Sequence, residues 1–360
     1  METTLPYYLG FSHFFGIGPM RFKALLDYFN SVKRAYWAEK EEISKVIGLK
    51  LAEEFVRFRQ DFDADKKKSE LKQKGIRALT QDDHSYPEKL KNLADPPICL
   101  YIKGKDVFPT DKLFAVVGTR KPTAYGQQMA RKFASEIAGF GLIIVSGMAI
   151  GIDTVAHQAA LEAGGRTVAV LGCGVDIVYP QINHRLYETI VDSGGWVISE
   201  FPPGRTVVKG LFIARNRIIS GLSLGVLVVE GAKDSGALIT ARYAAEQGRD
   251  VFALPSPITS PMAEAPNFLL KQGAKLATSA DDIIEELGMQ IKRRNKQDIE
   301  LNLKDEEKIV FEILINAPLT ADEIVFKTEK SVGEVLNLLT SLELKGVIEK
   351  NSEGRYQIKN

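Results

Sequence analysis

Hydrophobic and polar positions change their period twice along the chain. Up to about Lys74 apolar residues recur at helical spacing, with Phe22, Leu25, Leu26 and Phe29 on one face. Two Gly-containing turns, in FFGIGPMRFKALL and VIGLKLAEEFV, punctuate these helices. Between Leu113 and Leu287 the pattern becomes short β-branched or aliphatic runs, FAVVG, LIIVSG, TVAVLG, WVISE, GVLVVE and DVFALP, separated by amphipathic stretches. Runs apolar on both faces and alternating with helices predict a parallel sheet covered on both sides, a doubly wound α/β domain. From Asp305 the helical period returns: EEKIVFEILI, a turn at Ala317-Pro318, a helix opened by Thr320, and a third helix from Ser331 to Leu344. Gly346 and two short strands, VIEK and RYQIK, follow. Ser331 with Glu334 three residues on forms a capping box, and three helices with a β-wing predict a winged helix-turn-helix. The expected division is a helical domain over 1–75, an α/β domain over 76–288, a basic linker over 289–304 around Lys292-Arg293-Arg294-Asn295-Lys296, and a winged helix over 305–360.

A doubly wound sheet holds its ligands beyond the carboxyl ends of its strands, and Gly118, Ser146, Gly172, Ser199 and Glu230 each follow a strand there. Two junctions, FAVVGTRKPTAYG and LIIVSGMAIGIDTVAH, place small residues between a buried strand and a helix. Backbone N–H groups at such a helix start stabilise an anion. Gly118 and Gly147 lack a Cβ and let phosphate approach, Thr119, Thr123 and Ser146 add hydroxyl donors, and Arg120 supplies a planar fork. Neither junction matches GxGxxG or GxxxxGK[ST], which disfavours a standard dinucleotide or ATP site. The same rim gains Asn183 and Arg185 from CGVDIVYPQINHRL, and Phe212, Arg215, Asn216 and Arg217 from LFIARNRIISGLS, with Lys209 just upstream. EGAKDSGALITARYAAEQG adds Ser235, Gly236 and Thr240. Arg215 and Arg217 point in different directions on a helix, so at most one is expected to meet the ligand while the other braces the fold. His157 and His184 read as packed or surface histidines.

Composition narrows the class. A chain of 360 residues has room for roughly two or three domains, and 45% hydrophobic with 26% charged residues is ordinary for a soluble protein. A net charge of +1 means that nucleic-acid binding must come from a local basic patch. Cys99 and Cys173 are far apart and lack CxxC spacing, so no zinc site, cofactor or disulfide framework is indicated and a reducing cytoplasm is the expected setting. The start METTLPYYLGFSHFFG has no basic n-region, and no apolar run reaches membrane-spanning length, so neither export nor anchoring is expected. The FFGIGPM turn resembles a helix-hairpin-helix element, whose amides at Gly16 and Gly18 face a DNA phosphate; alternatively Gly16, Gly18 and Gly48 only separate packed helices. The Lys66-Lys67-Lys68 run reads as a solvated helix face.

GTRKPTAYG, SGMAIGIDTVAH, LGCGVDIVYP, the stretch ARNRIISGLSLGVLVVEGAKDSGALITARYAAEQGRDVFALP and the later PNFLLKQGA occur in the order and spacing of the DNA-processing protein A family, also called Smf, which the whole central domain resembles. The resemblance implies an extended Rossmann-like domain, an N-terminal helical (SAM-like) domain and a C-terminal winged helix. It further implies a homodimer that binds and protects single-stranded DNA and helps load the RecA recombinase, in natural transformation or repair. Gly118, Thr119 and Arg120 match the family's first turn, Ser146 and Gly147 its second, and Arg215, Asn216 and Arg217 its RNR segment. The chain departs from the family at Ile213, Ser256 and Ala265, where proline, glycine and glycine are usual.

The expected mechanism is binding without covalent chemistry. Rim amides, Arg120, Lys209 and one of Arg215 and Arg217 hold successive phosphates, while Tyr125 or Phe212 meets sugars and bases. The third helix of the winged helix, SVGEVLNLLTSLELK, carries acidic and apolar residues where a DNA reader shows Arg, Lys, Asn or Gln. A protein-contact or fold-stabilising role is therefore expected of it. The competing readings are a nucleoside-monophosphate hydrolase and a small-nucleotide sensor. The hydrolase needs a PGGxGTxxE cradle, and EGAKDSGALITA provides Glu230 without those glycines.

Overall fold

Six helices precede the first strand: α1 (Leu5–His13), α2 (Pro19–Phe29), α3 (Val32–Trp37), α4 (Lys40–Ile47), α5 (Leu49–Asp61) and α6 (Ala64–Gln73). Their starts follow the side chains available. Pro19 occupies the first turn of α2, where its missing N–H costs nothing, and Ser31 and Asp63 accept from the Arg34 and Lys66 amides at the starts of α3 and α6. The apolar faces meet in an aromatic core in which the Phe11 ring lies 5.1 Å from Phe22 and 4.8 Å from Phe55. Tyr101 and Val175 of the α/β region complete that core. A Cβ on Gly16 would lie 2.5 Å from the Leu51 side chain, so Gly16 is a packing glycine, whereas Gly18 is exposed.

The computed structural model describes residues 4–105, 107–109, 111–289, 303, 305–328, 330–344, 347–351 and 354–358; positions 290–302 and 304 of the basic linker, and Gly346, fall outside them. After α6 come β1 (Arg77–Thr80), α7 (Glu88–Lys91), β2 (Cys99–Gly104), β3 (Leu113–Val117), α8 (Ala124–Gly139), β4 (Ile143–Ser146), α9 (Ile152–Glu162) and β5 (Thr167–Val170). They are followed by α10 (His184–Asp192), β6 (Trp196–Ser199), α11 (Lys209–Leu222), β7 (Gly225–Val228), α12 (Gly236–Glu246), β8 (Asp250–Ala253), α13 (Glu264–Lys271), β9 (Lys275–Leu276) and α14 (Ala280–Glu286). One sheet takes the order β1-β2-β6-β5-β4-β3-β7-β8-β9. The β1–β2 and β2–β6 pairs are antiparallel; every other pair is parallel. All six strands read from the sequence are present in the parallel part. Strand β3 shows why its run is apolar throughout: Leu113, Ala115 and Val117 enter the core under α11 and α12, and Phe114 and Val116 enter the opposite core under α8, α9 and α14. The chain leaves β3 toward β4 on one side and β7 toward β8 on the other, so the switch point of the doubly wound sheet lies between the ends of β3 and β7.

A second compact unit follows the division between Gln290 and Ile291. It contains α15 (Asp305–Asn316), α16 (Ala321–Thr328), α17 (Val332–Leu344) and the antiparallel pair β10 (Ile348–Lys350) and β11 (Tyr356–Ile358). Two capping boxes set its turns. The Glu323 carboxylate accepts from the Thr320 amide at 2.7 Å, and that of Glu334 accepts from the Ser331 amide at 2.9 Å. Val310, Phe311, Ile324, Val335, Leu339 and Tyr356 make its core. The outer face of α17 presents Val332, Leu336, Thr340 and Glu343 and no basic residue. Among the described residues no helix is long and apolar enough to cross a membrane.

Candidate nucleic-acid interface

At the first junction the turn is sewn to its neighbours by backbone. The Thr119 amide donates to the Glu230 carbonyl at 2.8 Å, and the Ile152 amide donates to the Thr119 carbonyl at 3.1 Å. A Cβ on Gly118 would meet the Ile152 side chain at 2.6 Å. This glycine is thus required by close approach of α9, not by phosphate. Thr119 accepts from the Lys121 amide through its hydroxyl at 3.2 Å. Thr123 caps α8 and donates its hydroxyl to Glu230 Oε1 at 2.6 Å, while its amide donates to Oε2 at 2.9 Å. Glu230 is 2% exposed, so both partners are committed inside the protein. Arg120 and Lys121 remain exposed.

The second junction differs from expectation. Ser146 is buried and donates to the Val116 carbonyl at 2.7 Å. The amides of Gly147 and Ala149 donate to Asp153 Oδ2 at 3.1 and 3.3 Å, so a carboxylate from the first turn of α9 occupies the anion position that these amides form. Burial raises the Asp153 pKa, opposed by the Arg215 charge and by these amides. Neither Ser146 nor Gly147 is free to receive an external phosphate through these groups. Met148, with φ of +61°, holds the turn in the left-handed region, and its carbonyl accepts from Asn183 Nδ2 at 2.9 Å. Asn183 is itself buried and also donates to Thr154, so it shapes the turn instead of facing a ligand.

Arg215 and Arg217 both brace the fold, which corrects the expectation that one of them reaches the ligand. Arg215 is 4% exposed; its Nη1 donates to the Gly147 carbonyl at 2.6 Å and to the Val170 carbonyl. Arg217 is 3% exposed and pairs with Asp95 at 2.9 Å and Glu200 at 2.5 Å. The two side chains do diverge, but both end inside the protein, Arg215 at carbonyls beside the ends of β4 and β5 and Arg217 at Asp95 of the loop after α7 and at Glu200. Beside them His157 is buried with Nδ1 2.6 Å from the Thr167 hydroxyl, which donates to the Ile144 carbonyl at 2.7 Å. The Thr167 proton being used, Nδ1 is the donor and the ring is neutral. Burial pushes its pKa down to about 3.

The exposed rim is made of different atoms. Phe212, in the first turn of α11, sits over Gly172, where a Cβ would be 2.8 Å from its ring. The Arg120 guanidinium lies 5.6 Å from the Phe212 centroid. The Tyr179 ring is also near, 5.5 Å from Phe212 and tilted by 35°, and Tyr179 is 43% exposed. Lys209, one helical turn before Phe212, and Arg185 at the start of α10 are exposed. Asn216 is half-buried, with Nδ2 3.4 Å from the Gly236 carbonyl; Gly236 is exposed, and Ser235 accepts from the Ala237 amide at 3.3 Å as the cap of α12. Tyr125 donates to the Pro255 carbonyl at 2.9 Å and steadies that loop. Tyr179 was not singled out from sequence; the signal was an aromatic residue before Pro180 at a polar helix start. The row Arg120–Phe212–Tyr179 offers a guanidinium and flat rings suited to phosphate and base. Among the described residues no cluster of His, Cys, Asp and Glu is disposed to hold a metal.

Residues 77–288 match the family described as DNA recombination-mediator protein A, and residues 294–354 match the DprA winged helix domain. Protein Smf of Synechocystis sp. is 34% identical over 390 aligned residues, 98% of either chain. DNA processing protein DprA of Bacillus subtilis is 44% identical over 217 residues, 60% of this chain and 73% of that one. The X-ray structure of DNA processing protein A from Streptococcus pneumoniae superposes with a TM-score of 0.67 at 35% identity, covering 79% of this chain and 99% of that one. The Helicobacter pylori protein, whose structure is described for its single-stranded DNA binding mode, gives a TM-score of 0.53 at 31% identity over 59% of this chain and 95% of its own. With the rim motifs, the winged helix and an end-to-end relative in agreement, the chain belongs to the DNA recombination-mediator protein A (DprA/Smf) family.

Proposed function

We propose that this protein captures single-stranded DNA without regard to sequence along the carboxyl rim of its sheet, shields it, and presents it to the RecA recombinase. The observation that carries the reading is the row of exposed Arg120, half-buried Phe212 and exposed Tyr179, with Lys209 beside it. Guanidinium and ammonium groups hold phosphates, and rings stack on any base because every base has a π-face. Thr119, Arg185, Asn216 and Gly236 border the same path, while Gly118, Thr123, Ser146, Gly147, Arg215, Arg217 and Ser235 build the rim beneath it. Single-strand binding by the Helicobacter pylori protein supports this reading.

The strand leaves chemically unaltered. A hydrolase of nucleoside monophosphates would need the carboxylate after β7, and here Glu230 is closed off by Thr123. Homodimerisation through the Rossmann-like domain is supported by exposed Phe268 and Leu276 at the free β9 edge of the sheet.

Fluorescence anisotropy with labelled oligo-dT and with duplex tests the main reading. Single strands bind more tightly, and Arg120→Ala weakens them with thermal stability little changed; equal binding by that variant sinks Arg120's role. Release of free base from nucleoside monophosphates would favour the hydrolase. Faster RecA filament formation on oligo-dT coated with single-strand-binding protein tests loading, and light scattering of Phe268→Asp tests the dimer.

A further inference from the structure

Resting on that reading of the rim, we infer that the N-terminal helical segment supplies a second stacking step on the same single-strand path: Phe15, backed by Arg205, receives a nucleobase. Phe15 forms the tip of the turn between α1 and α2, and its ring is 59% exposed. The Arg205 guanidinium, from the loop after β6, lies 4.0 Å from the ring centroid, the separation of a stacked pair. One face of the ring is thus backed by a cation and the rest of the side chain is largely in solvent. The pairing repeats that of Arg120 with Phe212.

The two steps are anchored on one loop. Phe212 sits against Gly172, and the Arg205 carbonyl accepts from the Gly174 amide at 2.9 Å. Gly172 and Gly174 are two residues apart, a span of at most about 7 Å. This short loop joins the Phe212 step to the backbone that carries Arg205, so on the inferred path a strand leaving Tyr179 and Phe212 meets Arg205 and Phe15 next. The N-terminal helices are held in this place by contacts that do not use Phe15. Lys74 pairs with Asp176 at 2.7 Å, Asp176 accepts from the Gly204 amide at 2.8 Å, and Val175 is buried in the aromatic core of α1 to α5. Docking of the segment accounts for Val175 and Asp176. It does not account for a large aromatic ring held outside the core with a guanidinium stacked on it. Arg205 Nε has no hydrogen-bond partner among the described residues, so the guanidinium is not held by a carboxylate through that edge.

The test is anisotropy of the full chain with oligo-dT of graded length. Phe15→Ala and Arg205→Ala each weaken long oligonucleotides by about tenfold, the scale of one base-stacking step, and leave the shortest bound oligonucleotides unchanged. Phe15→Tyr keeps binding whereas Phe15→Leu, with apolar bulk but no π-face, loses it, which loss of mere docking would not explain. Arg120→Ala weakens every length. Loss with Arg120→Ala but wild-type binding by Phe15→Ala at all lengths overturns this inference and leaves the rim reading standing; no loss in either overturns both. Should Phe15→Ala unfold, the unaltered protein is photocrosslinked to oligo-dT carrying a halogenated thymine. An adduct in the peptide containing Phe15 supports the second step, and adducts confined to the Arg120, Tyr179 and Phe212 peptides overturn it.

Discussion

Arg217 gives the sharpest separation between building the rim and touching DNA. Arg217→Met keeps most of the side-chain volume and removes the charge, leaving Glu200 buried against nothing positive. Breaking such a pair costs about 3–5 kcal/mol because a carboxylate is left in a low-dielectric interior. For a domain of this size that corresponds to a drop in Tm on the order of 10 °C. The loss has a signature in pH. Burial already pushes the Glu200 carboxyl above its usual range, opposed by Arg217, and without Arg217 the rise is larger. In the window above the ordinary carboxylate pKa the native variant then binds a proton that the unfolded chain does not, so its stability rises as pH falls. Glu200→Gln in the same background removes the buried charge and recovers most of the stability at neutral pH. Calorimetry of the wild type and the two variants across pH, with oligo-dT anisotropy below each Tm, reads all of this. The folded variants bind single strands like the wild type. An unchanged Tm with lost affinity for Arg217→Met would refute the structural role and return this residue to the ligand.

His157, neutral and buried with its pKa pushed down to about 3, is protonated more readily in the unfolded chain, so its contribution to stability is complete above the ordinary histidine range and is lost as pH falls. Going from pH 7 to pH 5 costs about 2 kcal/mol from this residue alone, and urea titrations should find a shallower pH slope in His157→Gln; an equal slope would count against the assignment. Gly151 has φ of +89°, and a Cβ there would run into the Thr119 carbonyl and lie 2.8 Å from Arg120 Cα. Gly151→Ala should therefore lower stability by about 1–3 kcal/mol and weaken oligo-dT binding by displacing Arg120, and wild-type values of both would sink the argument. In the winged helix, Val332→Asp with Leu336→Asp should leave single-strand affinity and its salt dependence unchanged; a loss of either would bring DNA to α17.

The sheet was legible where burial on both faces makes an unbroken apolar run, as in LFAVV and GVLV, and illegible where it does not. Strand β1, RALT, is mostly half-buried, β9 is two residues long, and β2 pairs antiparallel beyond the reach of the repeating strand–helix pattern. The winged helix was legible because Ser331 and Glu334 act within one turn. At the rim the glycines were readable as turns, but their use depended on distant residues. Gly118 is required by Ile152, and the amides after Ser146 are claimed by Asp153, six residues beyond Gly147. In hindsight IDTVAH placed an acidic residue in the first turn of a helix that follows an amide-rich bend, which is the signal for an internal anion. The RNR segment turned on a distant residue in the same way: the carboxylate that takes up Arg217 is Glu200, directly after WVIS and 17 residues earlier.

These corrections leave the rim with cations in two tiers that do different work. The lower tier is compensated: Arg215 has Asp153 nearby and holds two strand-end carbonyls, and Arg217 has Glu200 and Asp95. Burial and, to a lesser degree, the Arg120 charge lower the Arg215 pKa to about 10, opposed by Asp153, so it is charged at neutral pH and lies close enough to repel Arg120. A phosphate beside Arg120 relieves that repulsion, which gives the buried cation a part in affinity without contact. The upper tier of Arg120, Lys121, Arg185 and Lys209 is exposed and has no ion-pair partner among the described residues. Residues 305–360 hold eleven Asp and Glu against seven Lys and Arg, so any addition from the winged helix would have to come from a local basic patch. If these four side chains neutralise one phosphate each, the logarithm of affinity falls against the logarithm of salt with a slope of about −3 for a single strand. The stacking contribution of Phe212 and Tyr179 persists at high salt, so binding weakens toward a plateau set by the rings and not toward zero. A slope twice as steep would require phosphate contacts elsewhere on the molecule, and a slope near zero would mean that the upper tier does not meet the backbone at all.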